Sequence, residues 1–198
     1  MMQEARLLLL DVIGNGIGPD SFTCWIVVEG YGKEGRLLSA INVAVEFHRF
    51  GVSIPRDIYD YLIVALCQEN RPCAGKSFLE RICQAGYEPK QEIYNELIYS
   101  LCKHNFVEAA LLLKAEMVLK VLKPNLVAYK ALVNCLSRLS RSVEGESLMG
   151  EMVESVVNPD IETCRALVNG FCEERNLDKV ESLLGSIAKK FQIYDTML

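Results

Sequence analysis

The chain has 198 residues, 51% of them hydrophobic and 24% charged, which excludes a disordered polypeptide and leaves length enough to bury a core. Its net charge of −5 excludes a general polyanion binder with a strongly basic surface. Eight cysteines and two histidines include no Cys-x-x-Cys and only one isolated Cys-x-His, Cys102 with His104. No metal site is therefore expected, and the thiols read as buried packing groups in a reducing compartment.

Residues 2–15 are expected to form a helix. Its leucine run, Leu7 to Leu10, stops at Asp11, and no basic segment and cleavage site accompany it. No stretch approaches the ~20 apolar residues needed to cross a bilayer, so neither a membrane span nor a signal peptide is expected.

From residue 19 onward the chain keeps a 35-residue beat. Pro19, Pro89, Pro124 and Pro159 stand 70, 35 and 35 apart, with Ile54 and Pro55 at the intervening slot. The same step links Leu62, Leu97, Leu132 and Leu167 behind Val27, and Tyr59, Tyr94 and Tyr129 between Cys24 and Cys164. It also links Phe47, Ile82, Met117, Met152 and Ile187, and the small or sulfur-bearing Gly32, Cys67, Cys102, Ser137 and Cys172. Such agreement at one period is the mark of a repeat architecture.

The expected units, in chain order, are 1–20 as the second half of a truncated repeat, then 21–55, 56–90, 91–125, 126–160 and 161–195, with 196–198 as a tail. Each unit reads as two helices. In 91–125, Ile93, Tyr94, Leu97, Ile98 and Leu101 mark one face of a first helix, and Lys103-His104-Asn105 make a polar turn. A second helix follows with Ala109, Leu112, Leu113, Glu116 and Met117, and Pro124 prevents its continuation. The turn slot holds Gly35 and Asn70 in earlier units, residues that tolerate the left-handed conformation closing a helix. A lone hairpin cannot bury both helix faces, so the units must stack, and the Gly32/Cys67/Cys102/Ser137/Cys172 column suits close helix approach.

Two stretches carry a family resemblance: Ile93-Tyr94-Asn95-Glu96-Leu97-Ile98 through Leu101-Cys102-Lys103 to Lys123-Pro124-Asn125, and Arg165-Ala166-Leu167-Val168-Asn169-Gly170-Phe171-Cys172. They resemble the pure 35-residue type of pentatricopeptide repeat, whereas tetratricopeptide repeats run at 34 residues with a different Trp/Gly/Tyr pattern. The resemblance implies an all-α, right-handed superhelical solenoid of stacked helix-turn-helix repeats, the α-α superhelix. It also implies single-stranded RNA read at one base per repeat, and service in mitochondria, with chloroplasts as the alternative, in RNA processing, stability or translation.

By that resemblance, the fifth and last residues of a repeat read the base, the second stacks on it, and a basic residue ending the first helix meets phosphate. The fifth positions are Trp25, Asp60, Asn95, Lys130 and Arg165; the last are Pro55, Lys90, Asn125, Asp160 and Asp195. Asn95 with Asn125 matches a family combination for a pyrimidine. Lys130/Asp160 and Arg165/Asp195 are further candidate readers that could instead pair with each other. Phe22 and Val127 suit stacking, whereas Asp57, Glu92 and Glu162 put carboxylates in that slot. Lys33, Lys103 and Arg138 suit phosphate; Gln68 and Glu173 do not.

Simpler roles compete for several of these residues. Asp20, Asn125, Asp160 and Asp195 are also expected N-caps, Asn95 could be ordinary polar surface, and Lys103 and Arg138 suit helix C-termini. Trp25 could stack on a base or pack between repeats.

No repeat is net basic, yet Lys103, Lys130, Arg138 and Arg165 would cluster on the concave face, making 91–165 the candidate groove. The expected function is a non-catalytic binding scaffold without cofactor or metal, because no nucleophile–base pair, phosphate loop or ligand set stands at a working spacing. Single-stranded RNA is the expected partner. The alternative is a degenerate array that binds protein, favoured by the acidic stacking slots. Because the chain starts in mid-repeat with an apolar first helix, an excised fragment or self-association through the exposed N-terminal end is also expected.

Overall fold

The computed structural model describes residues 2–52 and 54–195, with side chains described as far as Ser186. Their ordered elements are eleven α-helices: α1 (Met2–Gly14), α2 (Ser21–Lys33), α3 (Leu37–Arg49), α4 (Arg56–Gln68), α5 (Pro72–Gln84), α6 (Gln91–Lys103), α7 (Val107–Leu119), α8 (Leu126–Arg138), α9 (Ser142–Glu154), α10 (Ile161–Glu173) and α11 (Leu177–Asp195). First helices of successive hairpins start at 21, 56, 91, 126 and 161, and second helices at 37, 72, 107, 142 and 177. Both series advance by 35.

The termination chemistry repeats on the same step. After each first helix the chain enters the left-handed region at Gly35, Asn70, Asn105, Ser140 and Arg175; after the other helices it does so at Gly16, Gly51, Gly86, Val121 and Val156. The next amide then donates back to a carbonyl five residues earlier, as Arg36 does to Tyr31, Phe106 to Leu101 and Leu122 to Met117. This closure satisfies carbonyls that a helix end leaves bare. Starts are treated differently in the two series. Asp20, Asn125 and Asp160 cap first helices by accepting the amides of Thr23, Ala128 and Thr163 at 2.8–2.9 Å. Arg36, Arg71, Phe106 and Arg141 precede second helices without a side-chain cap bond.

The helices gather into two compact units that divide after Ile93. In the first, α2 packs on α3 and α4 on α5, with α1 against α2, α3 against α4, and α2 against α4. In the second, α8 packs on α7, α9 and α10, and α10 also on α9 and α11. Each unit is thus a stack of helical hairpins, and the chain is an all-α helical-repeat solenoid.

The 35-residue columns are its core. Val27, Leu62, Leu97, Leu132 and Leu167 are buried, as are Cys24, Tyr59, Tyr94 and Tyr129 and the second-helix residues Phe47, Ile82, Met117 and Met152. Ile187 lies outside the residues whose side chains are described. The small-residue column explains itself sterically: a methyl on Gly32 would collide with the Tyr61 hydroxyl, and Cys67, Cys102 and Ser137 are buried. Cys172 departs from the pattern and is exposed. Cys102 is covered by Cys135 and Arg138 of the following first helix.

One face assignment differs from the sequence reading. On α7 the buried residues are Val107, Ala110, Leu113 and Met117, while Leu112 is 66% exposed and Ala109 only partly covered. With apolar residues almost all round this helix, spacing alone does not select the stripe that packs.

Candidate nucleic-acid interface

The five expected reading positions lie one turn into the first helices, and the last positions Pro55, Lys90, Asn125 and Asp160 immediately precede the next first helix. Where first helices stack side by side, a residue one turn into one helix should meet the cap of the next. Three pairs do so.

In the pair Asp60/Lys90 the ammonium lies 3.3 Å from the Asp60 carboxylate and 3.6 Å from that of Asp57. Tyr87 donates its hydroxyl to Asp60 as well. The lysine's pKa is raised, first by its hydrogen bond to Asp60 and then by the charges of Asp60 and Asp57. In the pair Lys130/Asp160 the separation is 3.0 Å, and Lys130 also engages Glu162, the second residue of the following repeat. Burial works to raise the pKa of Asp160, but the hydroxyl and amide of Thr163 and the ammonium of Lys130 outweigh it and hold it at about 2. At both pairs the acidic residue in a stacking slot therefore helps to neutralise a reading lysine.

The pair Asn95/Asn125 is built differently. Asn95 is 5% exposed, buried rather than part of an open polar face, and its Oδ1 accepts the Asn125 amide at 3.1 Å. The Asn125 Oδ1 in turn accepts the Ala128 amide at 2.9 Å and caps α8. Backbone donors thus fix both amide orientations, since only the oxygens can face them. Neither Nδ2 has a partner among the described residues. The pair thus keeps its NH2 donors uncommitted, while each oxygen is already engaged by one backbone amide.

The remaining candidates fall into separate groups. Phe22 and Val127 are exposed at 68% and 53%, open for a ring to stack on them. Trp25 packs between hairpins, its ring 5.4 Å from that of Tyr61. Lys33 pairs with Glu29 at 3.0 Å. Arg138 is engaged by structure: its Nη2 donates to the Cys102 carbonyl at 3.0 Å and to Asn105 Oδ1 at 3.1 Å, tying the end of α6 to α8. Lys103 and Arg165 are exposed and carry no ion pair among the described residues. Asp195 ends α11 as the last residue of that helix, and its side chain, with any pairing to Arg165, lies outside the described residues. Of the four cations expected to cluster, two are thus committed to protein groups.

The sequence reading missed three participants. Tyr87 on Asp60, Asn105 under Arg138 and Glu162 on Lys130 each act across about 30 residues of chain. Only the carboxylate at Glu162, in a slot expected to be apolar, carried a signal. Among the described residues no group of three or more His, Cys, Asp or Glu side chains could hold a metal ion.

Comparison with known proteins returns one consistent answer. The family model described as PPR repeat matches residues 92–120, 127–156 and 162–190. A pentatricopeptide repeat-containing protein of Arabidopsis thaliana is 49% identical over 47 residues, 23% of this chain and 8% of that one. The crystal structure of the maize pentatricopeptide repeat protein PPR10 superposes with a TM-score of 0.71 at 25% identity, over 94% of this chain and 27% of that one. The same maize protein in complex with an 18-nucleotide psaJ RNA element gives 0.57 at 24% identity, over 92% and 27%. The tRNA-bound PPR domain of the Arabidopsis thaliana protein-only RNase P 1 gives 0.65 at 19%, over 83% and 86%. The chain thus spans less than a tenth of the curated relative and about a quarter of the maize protein.

Proposed function

The chain belongs to the pentatricopeptide repeat family, and on that premise we propose that it is a non-catalytic scaffold whose α6–α10 region binds single-stranded RNA. The organellar setting implied by the family, a mitochondrion or alternatively a chloroplast, and a task in RNA processing, stability or translation belong to the same proposal. The observation that carries it is the Asn95/Asn125 pair. With both oxygens held by backbone amides, two NH2 groups are left to seek acceptors, and a pyrimidine base offers ring carbonyl oxygens. Val127 supplies an exposed apolar surface two residues along, and Lys103 and Arg165, which carry no ion pair among the described residues, supply cations for phosphates.

The binding is weak by construction, because Lys90 and Lys130 are already neutralised by carboxylates. With Lys103 and Arg165 as the two phosphate contacts, log K should fall against log salt with a slope of about −1.4. A gel-shift titration with short single-stranded RNA pools at low and moderate salt tests this, using the wild type and Asn95→Asp. Asp keeps an oxygen for the Asn125 amide while removing the NH2 donor, so the fold stays and binding drops. Retention that ignores both salt and Asn95→Asp would overturn the reading.

A second reading rests on those same ion pairs. A surface that spends its lysines on its own carboxylates suits a protein partner better than a polyanion. Absence of RNA retention even at low salt would favour it. The N-terminal helix offers a further contact in the same proposal, since Leu7 and Leu8 are 60% and 67% exposed and suit self-association end to end.

A further inference from the structure

The second helices carry their own electrostatic pattern, on the opposite layer from the reading residues. Neighbouring second helices are clipped together by acid–base pairs: α1 to α3 by Arg6 on Glu46 at 3.0 Å, α7 to α9 by Lys114 on Glu151, and α9 to α11 by Lys179 on Glu146 at 2.7 Å. On the 35-residue step, the position held by Glu46, Glu116 and Glu151 is Arg81 in α5. The seam between α3 and α5 therefore has a cation in α5 at the step where α3, α7 and α9 have a carboxylate and α11 has Ser186.

Arg6, Arg36, Arg49 and Arg81 line one cavity of about 240 Å3 between α1, α3 and α5, and among the described residues Glu46, already bound by Arg6, is the only carboxylate in its wall. Arg49 and Arg81 are exposed and have no ion pair or hydrogen bond among the described residues. Arg36 reaches Glu34 only at 3.8 Å and lies over the Tyr31 ring at 5.3 Å. It also stands at the start of α3, where the helix dipole disfavours a cation, so helix stability does not account for its placement.

We propose that this recess is an anion site that binds a phosphate group, held by Arg49 and Arg81 with Arg36 at its flank. A carboxylate neutralises one guanidinium, whereas a phosphate or diphosphate carries charge for two and tetrahedral oxygens for forked donors. Ser39 and Asn42 in the same wall supply neutral hydrogen-bonding groups for the remaining oxygens. The site is independent of the Asn95/Asn125 interface.

Inorganic diphosphate titrated by calorimetry, at ionic strength held constant with chloride, is the test. The wild type should bind one equivalent saturably. Arg49→Ala with Arg81→Ala should weaken binding about tenfold or more, each arginine supplying charge-assisted bonds. Arg81→Glu should abolish binding and raise Tm by restoring a carboxylate to the seam. Both arginines are exposed and unpaired, so circular dichroism should show all variants folded. Asn95→Asp should leave diphosphate binding unchanged, which separates this site from RNA reading. Unsaturable heats in the wild type, or equal affinity in the arginine variants, would overturn the proposal. Competition by a 5′-phosphorylated tetraribonucleotide but not its 5′-hydroxyl form would assign the phosphate to a nucleic-acid end. Competition by neither would assign it to a free phosphate compound.

Discussion

Val121 and Val156 hold φ of 61° and 63°, in the slot that Gly16, Gly51 and Gly86 fill after other helices. The left-handed conformation sets Cβ against the following carbonyl and costs about 1–2 kcal/mol for an L-residue, more severely when it is β-branched. Nothing packed offsets that cost, because the two side chains are 89% and 85% exposed. Val121→Gly should therefore raise the free energy of unfolding by about 1 kcal/mol, even though glycine loosens the unfolded chain. Urea denaturation reads this directly, and an unchanged or lower midpoint would sink the argument. At the same scale, the proposed interface gives Asn95 two roles: its oxygen accepts a backbone amide, and its nitrogen, without a partner among the described residues, would meet the base, so a change that removes both cannot separate the two.

Among the helices, α7 is the sharpest case of an element whose existence was plain and whose orientation was not. Its 13 residues are apolar enough that several stripes satisfy helical spacing, and the sequence reading puts Ala109 and Leu112 beside Leu113 and Met117. Packing selects Val107, Ala110, Leu113 and Met117. Leu113→Ala should accordingly cost about 2–5 kcal/mol, as large-to-small changes in cores do, whereas Leu112→Ala should stay within about 0.5 kcal/mol. Equal losses for the two variants in thermal or urea unfolding would mean that the buried face is misassigned. First and second helices also differ in kind. Three first helices, α2, α8 and α10, carry Asp or Asn caps, whereas α4 follows Pro55 without one, so at Asn125 and Asp160 a single residue ends one candidate reading pair and starts the next helix. Second helices begin with arginine at three of their starts, where no side chain caps them, while Asn176 accepts the Lys179 amide at the start of α11.

At the scale of the whole molecule, the limiting feature of the proposed RNA interface is its own charge balance. Glu92 and Glu162 stand where the family resemblance calls for an apolar stacking residue, and Glu162 also holds Lys130. Replacing both by valine removes two charges that repel phosphate, frees part of the Lys130 ammonium and opens apolar surface beside Val127. The variant should bind short single-stranded RNA several-fold tighter at low salt, with a steeper salt dependence than the wild type. A gel shift showing unchanged affinity would place the resistance to RNA somewhere other than these carboxylates.

The period, the helix pairs and most of the core were written in the sequence, because every hairpin buries the same face against a neighbour of the same kind. Leu62, Leu97, Leu132 and Leu167 recur at 35 residues for that reason, and their burial follows. The family resemblance assigns the candidate reading positions on the same ground: a fixed step along the chain is a fixed place on a hairpin. What became of those positions was decided only in three dimensions. Lys130 settles between Asp160 and Glu162, Arg138 on the end of α6, Asn95 under the Asn125 amide, and Arg81 in a cavity wall whose one carboxylate among the described residues, Glu46, is held by Arg6. Hydrophobic burial is non-directional and tolerates the spacing rule, whereas ion pairs and hydrogen bonds depend on tenths of an ångström between side chains some thirty residues apart. One-dimensional spacing carries the first kind of information, and only the packed helices carry the second.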